Sequence, residues 1–391
     1  MQPLPSGEAK LLVRDAYNGS FVQAGGEEFV VFVRDGVLYG SAFDSAKLEL
    51  TGASVPLIDD LAGDPTRGAG HFDISRSGTL LYRAGRESQQ KWPALWMDKA
   101  GQTKPLISDS ALYITPRFSP DGKKLAISSR GAGGLAIYDL EKGTVNRFPY
   151  AGYPAWTQDG KYLAVRDATP PGIAISWIRA DGGGERQVLY KIGRNTSVYG
   201  FTADAKTLLI VEQSPQGDND IVALPLDTTD PEHPKPGKPI PLAQTPASES
   251  FPALSPNGKW LAYMSNQTGR GEVYVKPFPT GTARWQITTE GGGTPLWAPD
   301  GRSLFFVNDS HIYVVDITAK ADAIAANRPR LWSPTPIRLS GDNLSYAIHP
   351  DGQRFVVYPM PEPSPEEKGN AHMTFVLNFA DDLRRRVDAA K

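Results

Sequence analysis

A short hairpin unit recurs along the whole chain and constrains the fold more than any other feature. Its clearest copy is RFSPDGKKLAIS, from Arg117 to Ser128. A strand ends at Phe118, Ser119-Pro120-Asp121-Gly122 turns, and a second strand leaves with Leu125 and Ile127 on one face. Pro presets the first corner, Asp bonds its own backbone, and Gly tolerates positive φ. Copies begin at Asp73, Ala155, Gly200, Ala253, Leu296 and Ala347, with a degenerate one at Val22. The turn glycines Gly26, Gly78, Gly122, Gly160, Gly258, Gly301 and Gly352, with Ala205 in the fifth place, stand 38 to 53 residues apart. Several short strands at that period mark propeller blades. The third repeat reads as four strands, at 115–118, 124–128, 135–140 and 144–148, and 228–238 reads as a solvated insertion in the fifth.

The expected fold is therefore all-β: an eight-bladed propeller of four-stranded antiparallel blades, with seven blades as the alternative. The blades fall near 20–60, 70–107, 113–149, 151–190, 196–244, 248–289, 291–333 and 344–379, in a single domain over 1–391. The last repeat lacks a fourth strand, and Ala9–Val13 looks like a lone one. Pairing Ala9–Val13 with Met373–Phe379 would close the ring and leave no open edge. Residues 380–391 read as a short exposed helix or tail, with Asp381 and Asp382 at its N-terminal end.

A net charge of −2 gives no electrostatic case for nucleic acid or an anionic membrane surface. The absence of cysteine removes disulfides, thiol catalysis and thiolate metal sites. No run of about 18 apolar residues occurs, so no membrane insertion is expected from this chain. The N-terminus lacks the basic and apolar regions of a signal peptide, which leaves a cytoplasmic protein or one part of a longer, anchored polypeptide.

The repeated aromatic-S-P-D-G-(K/R) pattern resembles the TolB-type, WD40-like propeller repeat. LLVRDAYNGSFV, SNQTGRGEVYVKPFP, WQITTEGGGTPLWAPDGRSLFFV and FVLNFADDLRRRV are further similar to the sensor half of bacterial transmembrane serine/threonine kinases. That resemblance implies an extracytoplasmic sensor, periplasmic or at the cell surface. The kinase motifs themselves, the glycine-rich ATP loop, H-R-D and D-F-G, do not occur in this sequence.

Motifs for chemistry are sparse. No G-x-S-x-G and no H-E-x-x-H occurs, and the histidines at 71, 233, 311, 349 and 372 are scattered. His349 reads as a turn cap. Asp218-Asn219-Asp220 offers oxygen ligands without the spacing of a calcium loop, so a structural calcium ion has no support and no cofactor is expected. Trp156, Trp260, Trp297, Phe118, Phe201 and Phe251 recur at equivalent places and read as packing between blades.

In a propeller the d–a and b–c connections emerge at one end, around the channel mouth. They carry Tyr113, Tyr153, Tyr199, Glu249, Asn266, Gln267 and Arg270 as candidate binding residues, with Arg67, Arg86 and Arg166 nearby. Tyr and Arg dominate interface hot spots. For Arg270, bracing by Glu272 is the plain structural alternative. The expectation is a monomeric, non-catalytic module that binds a protein, peptide or cell-wall ligand at this mouth. The alternatives are a channel-site glycosidase or lyase, which needs two carboxylates about 5–10 Å apart, and a TolB-like assembly scaffold.

Overall fold

The structure, a computed structural model, describes residues 11–64, 69–84, 91–130, 133–169, 172–192, 196–214, 217–320, 323–339, 344–360 and 373–390. The chain divides into two compact units, 1–89 with 362–391, and 90–361.

The larger unit is a propeller. Its described strands form six antiparallel sheets in succession. Tyr113–Phe118, Lys124–Ser129, Gly134–Asp139 and Thr144–Phe148 make one; the next three begin at Ala151, Thr196 and Glu249, and another at Gly293. The sixth sheet joins both ends of the unit, in the order Thr103–Ala111, Trp92–Asp98, Arg354–Val357, Tyr346–Ile348.

Stacking of the second strands holds these sheets together. Leu125 and Ile127 face the closing sheet, in a cluster with Trp92, Val356 and Tyr358. Ala126, between them, faces the other way, toward Trp156, Leu163 and Val165. Strands covered on both faces become continuously apolar instead of alternating. Comparable clusters fill each remaining interface between successive sheets, so the ring closes on itself. The expected aromatic packing is present: Trp156, Trp260, Trp297 and Phe251 are buried, with Phe118 and Phe201 packed against the clusters. Two indoles also pin neighbouring sheets. Trp156 Nε1 donates to the Arg117 carbonyl at 3.0 Å, and Trp297 Nε1 to that of Ala253 at 3.1 Å.

The turns saturate their own polar groups. Ser119 Oγ accepts from Lys124 N at 2.9 Å and donates to Asp121 Oδ1 at 2.5 Å, which also accepts from Lys123 N at 3.0 Å. Thr157 with Asp159, Thr202 with Asp204, and Ser255 with Asn257 repeat the arrangement. His349 caps its turn by accepting from Asp351 N at 3.2 Å, and its Nε2 reaches the Gly122 carbonyl at 3.3 Å. Gly122 needs its positive φ of 72°, and a Cβ there would strike this ring.

In the smaller unit, Tyr17–Ala24, Glu27–Arg34 and Val37–Asp44 form a sheet extended by Glu49–Leu50 and Val55–Ile58. A second sheet has the order Met373–Val376, Leu80–Arg83, Phe72–Ile74. The helix Phe379–Asp388 buries Phe379, Leu383 and Val387 against the first sheet. These positions follow the i, i+4, i+8 rule for one helix face, which corrects the expectation of an exposed helix. Leu383 sits over Gly40, where no side chain would fit.

Closure differs from the expected pairing of Ala9–Val13 with Met373–Phe379. Met373–Val376 pairs with Leu80–Arg83, while Trp92–Asp98, expected beside Leu80–Arg83, pairs with Arg354–Val357. Third strands have thus been exchanged between the second and last repeats. Leu11–Val13 form no strand, and Ala9 and Lys10 lie outside the described residues. The physical reason is that both second strands offer the same apolar template, and packing decides between them. Met97 packs in one cluster with Phe355, Tyr346 and Trp332, whose rings lie 4.6 to 5.7 Å from that of Phe355. Long segments follow both second strands, and lengthening a loop adds closure entropy only slowly.

Two tests follow. Leu95 and Val357 are register partners in a chain without cysteine. Opposed antiparallel residues stand about 4.5–5.5 Å apart, within disulfide range. Leu95→Cys with Val357→Cys should cross-link on mild oxidation, seen as a mobility shift; a pair that stays reduced would contradict this closure. Hydrogen bonds from the Ser119 and Thr202 hydroxyls hold the Asp121 and Asp204 carboxyls below the ordinary carboxylate range. Their contribution to stability is full above about pH 4 and is lost as pH falls through the lowered values. The urea-midpoint gap between wild type and Ser119→Ala should therefore shrink from pH 7 to about pH 2.5. A constant gap would show that the hydroxyl–carboxylate bond plays no part.

Candidate functional site

Each sheet of the larger unit sends its first strand along the ring axis, and five of the six described are bulged, Tyr346–Ile348 of the closing sheet being regular. The register slips between Ile114 and Arg117, Gly152 and Ala155, Val198 and Gly200, Ser250 and Ala253, and Gly293 and Leu296. At four of the bulges a non-glycine residue before proline adopts positive φ: Thr115 at 44°, Tyr153 at 51°, Phe251 at 56° and Thr294 at 49°. A residue before proline normally stays extended. Holding it left-handed stores about 1–3 kcal/mol each, sustained by the surrounding sheet. The bulges re-aim the side chains that follow.

Thr115, Arg117, Tyr153, Pro154, Val198, Tyr199 and Leu344 line a narrow cavity of about 10 Å³, room for about one water. They come from three successive sheets and from the segment leading into the closing one. The Thr115 amide bonds the Leu344 carbonyl at 2.8 Å, which fixes one wall. The Tyr199 ring stands edge-on to Phe251 with centroids 6.0 Å apart, and the Arg166 guanidinium lies 5.8 Å from the Tyr153 ring centre.

Arg117 is the charged group in this cavity. Burial pushes its guanidinium down to about 10, while the hydroxyls of Tyr199, Tyr346 and Tyr358 act to retain the cation. It remains charged at neutral pH. Burial raises the phenols of Tyr346 and Tyr358 well above their usual range, so both stay neutral donors.

The structure brings together two of the expected binding residues, Tyr153 and Tyr199, and adds Thr115 and Arg117 to them. It corrects two others. Tyr113 is only 2% exposed; its hydroxyl donates to the Asp109 carbonyl at 3.1 Å and its ring stacks on Tyr358. Glu249, 1% exposed, accepts from Thr245 Oγ1 at 2.6 Å and Ser265 Oγ at 3.1 Å. Both serve the sheet interior, because the first residues of these strands turn inward before the bulge. Asn266 and Gln267 are exposed on the b–c loop of another sheet, where Asn266 Oδ1 accepts from Ser248 N at 2.8 Å. Arg67 and Arg86 lie outside the described residues. Among the described residues, no three His, Cys, Asp or Glu side chains cluster as metal ligands.

Arg270 takes the bracing role. Its Nε donates to Glu272 Oε1 at 2.7 Å, and its Nη2 to the Thr289 carbonyl. Glu272, 1% exposed, also accepts from Thr288 Oγ1 at 2.5 Å and from Gly291 N at 3.1 Å. This carboxylate ties its own sheet to the segment leading into the next.

No protein-family model and no curated protein matches the chain. Among solved structures, a protein described as TolB of Agrobacterium tumefaciens is similar at 18% identity and a TM-score of 0.51, over 70% of this chain and 100% of that one. TolB from Acinetobacter baumannii aligns at 16% identity and 0.45, over 81% and 82%. An oligogalacturonate lyase from Vibrio parahaemolyticus aligns at 12% and 0.43, over 88% and 89%. The first likeness shows a shared β-propeller fold.

The two ends of the Arg270–Glu272 pair should respond unequally to substitution. Glu272→Ala strands a buried hydroxyl and amide, so it should cost about 2–4 kcal/mol in urea unfolding. Arg270→Ala, at a side chain 56% exposed, should cost less than about 1 kcal/mol. Equal losses would mean that the arginine, not the carboxylate, organises this corner.

Proposed function

We propose that this chain is a non-catalytic binding propeller that recognises a protein or peptide at the channel mouth formed by the d–a and b–c connections. The observation that carries the reading is the convergence of part-exposed Tyr153 and Tyr199 on one channel cavity. The opposite rim favours recognition far less. There the hydroxyls and the Asp or Asn side chains of the a–b turns are spent on one another and on their own backbone, in nearly the same way from sheet to sheet. A uniform, self-satisfied rim has little to discriminate with, whereas recognition depends on a few anchors in a less critical surround.

The sequence resemblance to kinase sensor halves supports a sensing role in a bacterial envelope signalling protein, with the propeller outside the cytoplasmic membrane and acting as a monomer. No described helix is long and apolar enough to cross a membrane. A TolB-like part in envelope assembly would use the same mouth.

The test places a photo-cross-linking residue at Tyr199, and in a second protein at Lys123 on an a–b turn, and identifies what each captures in cells. Affinity of the captured species for purified Tyr153→Ala and Tyr199→Ala is then measured. Each truncation should weaken binding by about 1–4 kcal/mol, roughly fivefold to a thousandfold in Kd. Capture and affinity loss confined to the a–b turns would overturn the face assignment. Turnover in glycosidase or lyase screens, abolished by a single channel substitution, would replace the binding reading with an enzymatic one.

A further inference from the structure

Two neighbouring interfaces of the ring are covered differently at the same level. By strand register, Asn146 opposite Ile137 in the third repeat corresponds to Gln187 opposite Trp177 in the fourth. Each side-chain amide reaches the next sheet. Asn146 Nδ2 donates to the Ala180 carbonyl at 3.3 Å, and Gln187 Nε2 to that of Pro234 at 3.0 Å. Pro234 belongs to the fifth repeat's insertion, 228–238, expected as a solvated loop. The insertion instead straps the fourth repeat. Pro234 is buried, the Pro231 carbonyl accepts from Trp177 Nε1 at 3.1 Å, and Glu232 Oε1 pairs with Arg179 at 3.2 Å. An indole N–H and an amide on a covered sheet face need acceptors, and the strap supplies its carbonyls.

Ala180 leads instead into a bare turn, Gly182-Gly183-Gly184, with φ of 78° at Gly182 and 72° at Gly184. Such a turn covers little, and a groove of about 240 Å³ lies between the third and fourth repeats. Phe148, Val165 and Ile178 give it an apolar wall; Arg147, Arg179 and Arg186 line it with Asp167 and Glu185. These charges are unevenly engaged. Asp167, 3% exposed, holds Arg186 at 2.6 Å, and Asp181 holds Arg179 at 2.7 Å. Arg147, with a side chain 57% exposed, pairs with the exposed Asp109 at 3.9 Å. An exposed pair of that length contributes little, so Arg147 is the cation that an incoming acid can take. Glu185, beside the glycine turn, keeps that acid at the Arg147 end.

We propose that this groove docks an extended peptide carrying proline next to an acidic residue, the chemistry of the strap that covers the neighbouring interface. The proline ring packs on Phe148, Val165 and Ile178, and the acid pairs with Arg147. A volume of about 240 Å³ falls below small-molecule pockets of about 300–1,000 Å³ and suits one or two side chains of a longer ligand. Proline-rich segments are preformed and lose little entropy on docking. The site goes beyond the mouth reading, because it lies between two sheets and not in the channel, and it holds even if nothing docks at the mouth.

Fluorescence polarisation of the whole chain with a labelled peptide of residues 229–236, TDPEHPKP, tests the site. The peptide should bind saturably. A scrambled peptide and the Glu232→Lys peptide should each bind at least tenfold more weakly. Arg147→Glu in the protein should weaken the original peptide at least tenfold and should bind the Glu232→Lys peptide better than wild type does. Arg147 lies away from the strap's own interface, so this variant separates docking in the groove from displacement of the strap. The comparison of peptides needs no variant, so it stands even if Arg147→Glu fails to fold. Absence of saturable binding, equal binding of the scrambled or Glu232→Lys peptide, or undiminished binding by a folded Arg147→Glu protein would overturn the proposal.

Discussion

The larger unit depends on second strands that are buried on both faces. Leu208 and Ile210 pack toward one neighbouring sheet, and Leu209 and Val211 toward the other. Each sheet is thus stabilised by two interfaces, and a ring of such sheets leaves none with an uncovered face. Apolar area removed from water contributes about 25 cal/mol per Å², so the stacked strands carry most of the driving force. Hydrogen bonds and indole staples supply direction and register. The same arrangement crowds the axis, which is why the first strands place alanine or glycine at the level of Ala155, Gly200, Ala253 and Ala347.

Strand exchange between the second and last repeats shows how little a repeat says about its own partner. Any second strand here can template any third strand, since both are short and apolar. What selects Arg354–Val357 for Trp92–Asp98 is the aromatic cluster of Phe305, Trp332, Tyr346 and Phe355, drawn from two sheets. The exchange lets the ring close within residues 90–361. In the smaller unit, Met373–Val376 becomes the outer strand of a three-stranded sheet, with Met373, Phe375 and Leu377 exposed.

The candidate site follows from the bulges. A regular strand alternates its side chains between the two neighbouring sheets and leaves the axis to backbone. Slipping the register by a residue, at the cost of positive φ at Thr115 and Tyr153, turns those side chains toward the channel. Polar residues in the same strands that precede the bulge, such as Glu249, stay inside the sheet and are fully used there. Function and structure therefore divide within a single strand, on either side of one slipped residue.

Much of this was legible in the residues themselves. The S-P-D-G turns, the all-β class, the antiparallel four-stranded sheets and the packing tryptophans follow from local pattern, because turn chemistry and side-chain periodicity act over a few residues. The convergence of Tyr153 and Tyr199 follows in outline from the ends of a propeller strand. A comparison of repeats could also have flagged Arg117 as the one charge at its level. Closure, the burial of Tyr113 and Glu249, and the pairing of Arg270 with Glu272 instead of a ligand were decided by tertiary structure. Closure and the two burials depend on which apolar surface meets which across more than a hundred residues, or on a one-residue slip in register, and neither leaves a mark in local sequence; the Arg270–Glu272 pair was visible as an alternative two residues apart, and the fold selected it by burying Glu272.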